Sequence, residues 1–128
     1  MRREHSRAEL ARKLAPYAES PQALEAVLDD LAKRRQLSDE RYAETRTHWL
    51  SRKYGAAKIR QDLKAHGVAE SVIERVSSEG DLEKAKAILA RKYRQPATTR
   101  EEKAKRARFL QSRGFSFEVV QRLLRMED

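Results

Sequence analysis

The sequence contains no cysteine. That excludes disulfides, thiolate metal sites and cysteine nucleophiles, and it fits a reducing compartment. Glycine and proline are scarce, at four and three of 128 residues, and they fall where helices should begin or end. No apolar run approaches the roughly 20 residues a membrane helix needs. No stretch alternates apolar and polar residues long enough to suggest a sheet. Met1-Arg2-Arg3-Glu4-His5 leads into a charged helical pattern and not into a secretory leader. The expected location is therefore cytoplasmic, with no membrane partner. Apolar residues are also lean, at 39%, against 38% charged, so any core must be thin and spread along the chain. Their regular spacing nonetheless argues for folding. What the chain has in surplus is positive charge: 29 Lys and Arg against 20 Asp and Glu, a net +9. Such a balance points to a polyanion or an acidic protein surface.

The periodicity predicts eight short helices. Ser6 with Glu9 forms a capping box for the first, which carries Leu10 and Leu14 and stops at Pro16. Ser20-Pro21 opens the second, with the stripe Leu24, Val27, Leu28 and Leu31. The third starts near Ser38-Asp39, carries Tyr42, Ala43, Arg46, Trp49 and Leu50, and runs through Tyr54 to Gly55. The fourth covers Ala56 to His66 with Ile59 and Leu63 inward and Gly67 as a left-handed cap. The fifth spans Glu70 to Ser77. Asp81 is expected to cap the sixth, whose face is Leu82, Ala85, Ile88 and Leu89. Thr99 with Glu102 is a second capping box and starts the seventh, with Phe109 and Leu110. Ser116 opens the last, with Val119, Val120, Leu123 and Leu124.

These parts repeat. Leu63-Lys64-Ala65-His66-Gly67-Val68 matches Leu110-Gln111-Ser112-Arg113-Gly114-Phe115, 47 residues on. Trp49-Leu50 with Arg52-Lys53-Tyr54 matches Ile88-Leu89 with Arg91-Lys92-Tyr93, 39 residues on. A third copy begins with Leu10 and Leu14, in the places of Ile59 and Leu63. The reading is an all-α chain of tandem three-helix modules in an elongated, curved array: residues 1–36, with the opening helix missing, then 37–80 and 81–128. Each module is too small to hold a core alone, so neighbours must pack. Trp49, Leu50, Ile59, Leu63, Val72, Ile73 and Val76 are expected to form one core, and Ile88, Leu89, Phe109, Leu110, Val119, Val120 and Leu123 its counterpart. The half-covered face of Leu10, Leu14, Leu24 and Leu28 is expected to seek a partner, which includes self-association.

Nothing in the pattern assembles a catalytic or metal site. His5, His48 and His66 are isolated, and Asp29 and Asp30 point to different sides of a helix. No glycine-rich phosphate loop is present, so no cofactor is expected. The basic clusters are the better candidates: Arg52, Lys53, Lys58 and Arg60 around Gly55; Arg91, Lys92 and Arg94 in the matching place, joined by Lys103, Lys105, Arg106 and Arg108; and Arg12, Lys13, Lys33, Arg34 and Arg35 in the first module. Charge on a helix is usually a solvated face. Recurrence at equivalent places favours a binding surface. Tyr54 and Tyr93 follow the Arg-Lys pair in both modules; packing at a helix end is the plainer role, base stacking the alternative. Trp49 lies on the apolar stripe and is expected in the core, whereas Phe117, just after the Ser116 cap, is expected to be exposed.

Four ordered stretches resemble the bacterial RecX regulatory family. They are Arg3-Glu4-His5-Ser6-Arg7-Ala8-Glu9-Leu10 with Arg12-Lys13-Leu14, Leu37-Ser38-Asp39-Glu40-Arg41-Tyr42-Ala43, Ser51-Arg52-Lys53-Tyr54-Gly55 with Ile59-Arg60-Gln61-Asp62-Leu63, and Lys103-Ala104-Lys105-Arg106-Ala107-Arg108-Phe109-Leu110 with Arg113-Gly114-Phe115. Two departures stand out. The family usually carries a helix before the first motif, and Lys33-Arg34-Arg35-Gln36 replaces a common glycine. The resemblance implies a non-catalytic regulator that binds the RecA filament on DNA and modulates it in recombination, repair and the SOS response, with inhibition the expected direction. The basic clusters, with Tyr54 and Tyr93, become the candidate contacts to RecA or DNA. Weak direct DNA binding is a further expectation. The alternatives are a helical module acting on nucleic acid directly and an adaptor for an acidic partner.

Overall fold

The computed structural model describes residues 4–35 and 37–126; Met1, Arg2, Arg3 and Gln36, quoted above, lie outside these. All regular structure among the described residues is helical: α1 Arg7–Leu14, continued by a 3₁₀ turn Ala15–Tyr17, α2 Pro21–Lys33, α3 Asp39–Leu50, α4 Ala56–Ala65, α5 Glu70–Ile73, α6 Asp81–Lys92, α7 Arg100–Ser112 and α8 Phe117–Met126. Side-chain oxygens of Ser6, Ser20, Ser38, Thr99 and Ser116 accept backbone N–H groups of the first turns of α1, α2, α3, α7 and α8. The Glu102 carboxylate also accepts from Thr98 N, and backbone hydrogen bonds from Thr98 and Thr99 hold its pKa below the usual range.

Two helices are shorter than the periodicity predicts. α3 ends at Leu50 because Lys53 and Tyr54 both donate to the Leu50 carbonyl, and Gly55 N then turns to the Arg113 carbonyl at 2.7 Å. α5 is a single turn ending at Ile73 and not Ser77. Its start lacks a side-chain cap, its sequence is rich in β-branched Val72, Ile73 and Val76, and Arg60 Nη2 takes the Val76 carbonyl at 2.6 Å.

The described chain forms two compact units. One comprises the residues up to His48 together with Gln61–Arg75; the other comprises Trp49–Arg60 together with the residues from Val76 onward. The first buries Leu28, Leu37, Tyr42, Ala43, Leu63, Val68, Val72 and Ile73. The core of the second is Ala85, Ile88, Leu89, Leu110, Phe115, Val120 and Leu123, with Tyr93, Phe109 and Leu124 packed against it. The stripe from Trp49 to Val76 is therefore not one core: Ile59 and Leu63 belong to different units. Trp49 is 71% exposed. It has the helical phase of buried Tyr42 but stands two turns on, about 10 Å along the axis, past the buried part of α3. Val27, also expected inward, is exposed, as is Tyr17.

Each unit is organised around a joint, and the two joints are related by the repeat. In the first, the turn at His66-Gly67 meets the start of α1. The Ser6 hydroxyl, on a residue 0% exposed, donates to the His66 carbonyl at 2.6 Å. In the second, the turn at Arg113-Gly114 meets the start of α4 through Gly55 N and the Arg113 carbonyl. Gly67 (φ 74°) and Gly114 (φ 88°) hold the left-handed conformation that ends α4 and α7. Both are also in close approach: a Cβ at Gly67 would overlap the Ala8 side chain, and one at Gly114 would sit 2.5 Å from Lys58 N.

A carboxylate closes each joint. Asp39, at the start of α3, accepts Arg7 N at 2.8 Å through Oδ1 and Ala69 N at 2.9 Å through Oδ2. Asp81, at the equivalent start of α6, is buried and accepts Ala56 N at 3.1 Å, with Lys84 Nζ 3.3 Å away. The expectation that Asp81 caps its own helix is thus corrected. Gly80 occupies that N-cap position, and Asp81 serves α4, which Gly55 leaves without a capping side chain.

Leu63 and Leu110 are each 0% exposed. Leu63→Ala and Leu110→Ala should each cost about 2–5 kcal/mol in urea unfolding; near-neutral values at both would contradict these cores. Gly114→Ala should cost more than the roughly 1 kcal/mol of a strained backbone alone, because the added carbon meets α4 backbone. A loss at or below that figure would show that the joint yields.

Arg46 grips Asp62 in the first unit with two hydrogen bonds, at 2.8 and 2.9 Å. These bonds hold the Asp62 carboxyl below the usual range against an opposing burial effect. A carboxylate with a depressed folded pKa stabilises above its unfolded pKa and loses that contribution as pH falls through the folded value. Asp62→Asn should therefore flatten the fall in stability below about pH 4. An unchanged acid limb in denaturant titrations would refute this.

Candidate functional site

The candidate contacts from Arg52 to Arg60 and from Arg91 to Arg108 all fall in the second unit, whereas the basic cluster of Arg12, Lys13, Lys33, Arg34 and Arg35 falls in the first. The turn after α3 supplies Arg52, Lys53 and Tyr54; the last turn of α6 supplies Arg91 and Lys92, with Tyr93 as its C-cap. These segments, placed by the repeat in two different modules, meet directly. Arg91 Nη2 donates to the Arg52 carbonyl at 3.2 Å.

Around this contact, cations and rings alternate. The Arg113 guanidinium lies 5.3 Å from the Tyr54 ring and 5.2 Å from the Phe109 ring. Lys92 Nζ sits 3.8 Å above Phe109 and 5.7 Å from Tyr93. Tyr93 and Phe109 meet edge to face, with centroids 6.5 Å apart. Arg106 stacks on Tyr93 at 4.2 Å. Each ring offers its negative face to a cation, an attraction of about 0.5–1 kcal/mol at exposed sites. The result fixes the ends of side chains that would otherwise sample many rotamers.

The other candidates divide. Arg52, Lys53, Lys58, Arg91, Lys92, Arg94, Lys105 and Arg108 are exposed, and Tyr54, Tyr93, Arg60 and Lys103 half-buried. Arg106 is 6% exposed and donates to the Gln95 carbonyl at 2.7 Å, so it supports Tyr93 and the loop before α7 instead of facing solvent. Arg60 points to the Val76 carbonyl. Lys105 lies one turn before Phe109 on the same side of α7, whereas Lys103 lines a separate groove on the other flank with Ala107 and Gln111. Sequence reasoning missed two participants, Arg113 and Phe109, and the exposure of Trp49. In the sequence Arg113 reads as part of the repeat and of the RecX-like C-terminal stretch, and Phe109 and Trp49 read as core.

The first unit treats its charges differently. Arg7 pairs with Glu25 and Asp29 at 2.5 and 2.7 Å, Arg41 with Glu4 at 3.2 Å, and Arg46 with Asp62. Those three arginines meet carboxylates, while Lys92, Arg106 and Arg113 of the second unit lie over aromatic rings. Among the described residues, no three His, Cys, Asp or Glu side chains are grouped to hold a metal ion, and no helix is long and apolar enough to cross a membrane.

Repeated helical joints, the second carrying a basic surface with cations over aromatic rings, define a tandem helical-repeat protein. Two family descriptions match the chain: the second three-helix domain of RecX over residues 38–76 and the third over residues 79–124. Regulatory protein RecX of Leptothrix cholodnii is 45% identical over 98% of this chain and 82% of its own length, and that of Ralstonia nicotianae 42% identical over 99% and 82%. The crystal structure of RecX from Lactobacillus salivarius has the same fold, with a TM-score of 0.84 at 19% identity over 98% of this chain and 86% of that one. The chain belongs to the RecX family of regulatory proteins, non-catalytic modulators of RecA.

Proposed function

We propose that the chain acts in the cytoplasm by binding RecA filaments on DNA and inhibiting their recombinase, ATPase and coprotease activities through the second unit's basic surface. The observation that carries this reading is the meeting of Arg52 and Arg91 beside the alternating rings and cations. Cations already fixed on rings lose less freedom on binding than free lysines, so more of their attraction to an acidic or phosphate-bearing groove is retained. Exposed Trp49, three residues from Arg52, adds a large apolar contact of the kind that anchors interfaces. The mechanism is steric and electrostatic: a basic body lying along the filament excludes partner DNA.

Direct DNA binding by the same surface is the second reading, favoured by the exposed arginines and lysines beside Tyr54 and Tyr93. Phosphate contacts would make such binding steeply salt-dependent. Self-association is supported by the exposed Tyr17 and Val27 of the first unit.

Because the two clusters form one patch, Arg52→Glu with Lys53→Glu should weaken inhibition of RecA ATPase on single-stranded DNA about tenfold, or 1.4 kcal/mol. Arg91→Glu with Lys92→Glu should do the same. The control is Lys64→Glu with Lys86→Glu, both exposed. Reversal at Glu25 and Asp29 is a poor control, since both hold Arg7. Full potency of the four-site variant, with helicity unchanged, would mean that these cations are only solvated. Tight binding to bare DNA with no effect on RecA would favour the second reading.

A further inference from the structure

The loop between α6 and α7 is held by the first turns of α7. The Glu102 carboxylate accepts Thr98 N at 2.9 Å, and Ala97 is buried. One turn further on, Arg106 donates from Nη2 to the Gln95 carbonyl at 2.7 Å. The same guanidinium lies over the Tyr93 ring, with Cζ 4.2 Å from the centroid. Its charge also acts on the Glu102 carboxylate. Arg106 is buried, so it reaches a partner only through the residues it holds. Between its two grips, Tyr93 and Gln95, stands Arg94, which is exposed.

A buried guanidinium carries a desolvation cost that a hydrocarbon side chain does not. Leu110, one turn along the same helix, is buried too, so this side of α7 accepts hydrocarbon. Packing alone therefore gives no reason for an arginine at 106. What arginine supplies is geometry: a planar fork that stacks on a ring by its face while donating in its own plane. Lysine, a point charge, does one or the other. We propose that Arg106 is a positioning residue, which fixes Tyr93–Gln95 in one conformation and so aims Arg94 and the Tyr93 ring at the partner of the basic surface. This inference rests on the reading of that surface as RecA-directed. A segment ordered before binding loses less freedom on binding, so more of its attraction is kept as affinity.

The test compares Arg106→Met and Arg106→Lys, in the full chain, by circular dichroism melts, hydrogen exchange of residues 93–99 and inhibition of RecA ATPase on single-stranded DNA. Arg106→Met is expected to keep the melting transition, as replacement of a buried charge by hydrocarbon often does. Loop exchange should speed up and inhibition weaken, each about fivefold, the scale of coupling between residues in contact. Arg106→Lys should fall between, keeping the charge and losing the fork. Lys86→Met, at an exposed site on α6, removes the same charge and should change none of the three. Added to Arg94→Ala, either Arg106 variant should weaken inhibition by less than it does alone, because a residue it acts through is gone. Should Arg106→Met unfold, Arg106→Lys carries the same measurements. Unchanged loop exchange in the folded variants, or losses that simply add to that of Arg94→Ala, would overturn the proposal. A loosened loop with full inhibition would overturn it too, and Arg52→Glu with Lys53→Glu then shows what else falls. Weakened inhibition in that pair leaves the RecA-directed surface standing, whereas full potency removes that reading as well.

Discussion

The structure depends on helix starts that their own sequence does not cap. α4 begins after Gly55 and α5 after Ala69, and neither residue offers a side-chain acceptor. A helix start leaves backbone N–H groups without intrahelical partners, and leaving one buried and unmade costs about 1–3 kcal/mol. Asp39 and Asp81 supply the missing acceptors from the first residues of α3 and α6. Asp39 serves two helix starts at once, with one oxygen for Arg7 and the other for Ala69. Short modules with thin cores have little stability to spare, so the module of residues 37–80, deprived of Asp81 from the next, leaves the buried Ala56 N–H at the start of α4 without its partner. That dependence explains why each compact unit contains one complete joint and draws on more than one sequence repeat.

How much of this is legible in sequence follows from which interactions are local. Ser6, Ser20 and Thr99 cap their own helices at a fixed spacing, so those starts are readable. Gly67 and Gly114 mark left-handed caps because the residues around them repeat, and the structure gives both a positive φ. Periodicity reports a face and not the partner of that face, so Ile59 and Leu63 read as one core although they lie in different units. Trp49 fails for the same reason along the helix axis: its phase is right and its height is wrong. Asp81 looks like a local cap because the residue it serves is 25 positions away. Arg106 looks like surface charge, since nothing local announces that Tyr93 and Gln95 enclose it. The meeting of Arg91 with Arg52 is equally non-local, 39 residues apart.

The two joints share a plan and differ in chemistry, and one position accounts for much of the difference. At the start of α1 the repeat has Ser6, whose side chain both caps the helix and reaches the opposing turn. The residue before it, His5, faces Glu9 at 3.1 Å. At the start of α4 the same place is Gly55, where a Cβ would lie 2.6 Å from the Gly114 carbonyl oxygen and 2.7 Å from Phe115 Cδ1. With no side chain there, the backbone itself makes the bond to Arg113, and the turn after α3 lies directly against the end of α7. The residue before it, Tyr54, is thereby brought over the Arg113 guanidinium. One joint buries a hydroxyl and surrounds itself with ion pairs; the other trades the hydroxyl for close approach and lines up rings with cations.

That difference sets what each unit can offer a partner, because ion pairs and ring-bound cations present unlike surfaces. Arg7 between Glu25 and Asp29 has its charge largely answered by its own unit, so an acidic partner gains little from it. Lys92 over Phe109 and Arg113 between Tyr54 and Phe109 are held by quadrupoles, which position a cation without neutralising it. The net positive charge of the chain is thus presented most effectively where carboxylates give way to rings. α7 is the element that makes this possible. Leu110 and Arg106 face inward, Phe109 and the C-cap Arg113 face the basic patch, and Lys103 and Ala107 face the groove against α8. A single helix thirteen residues long therefore separates two exposed surfaces of different chemistry, one cationic and aromatic, the other apolar with a cationic rim.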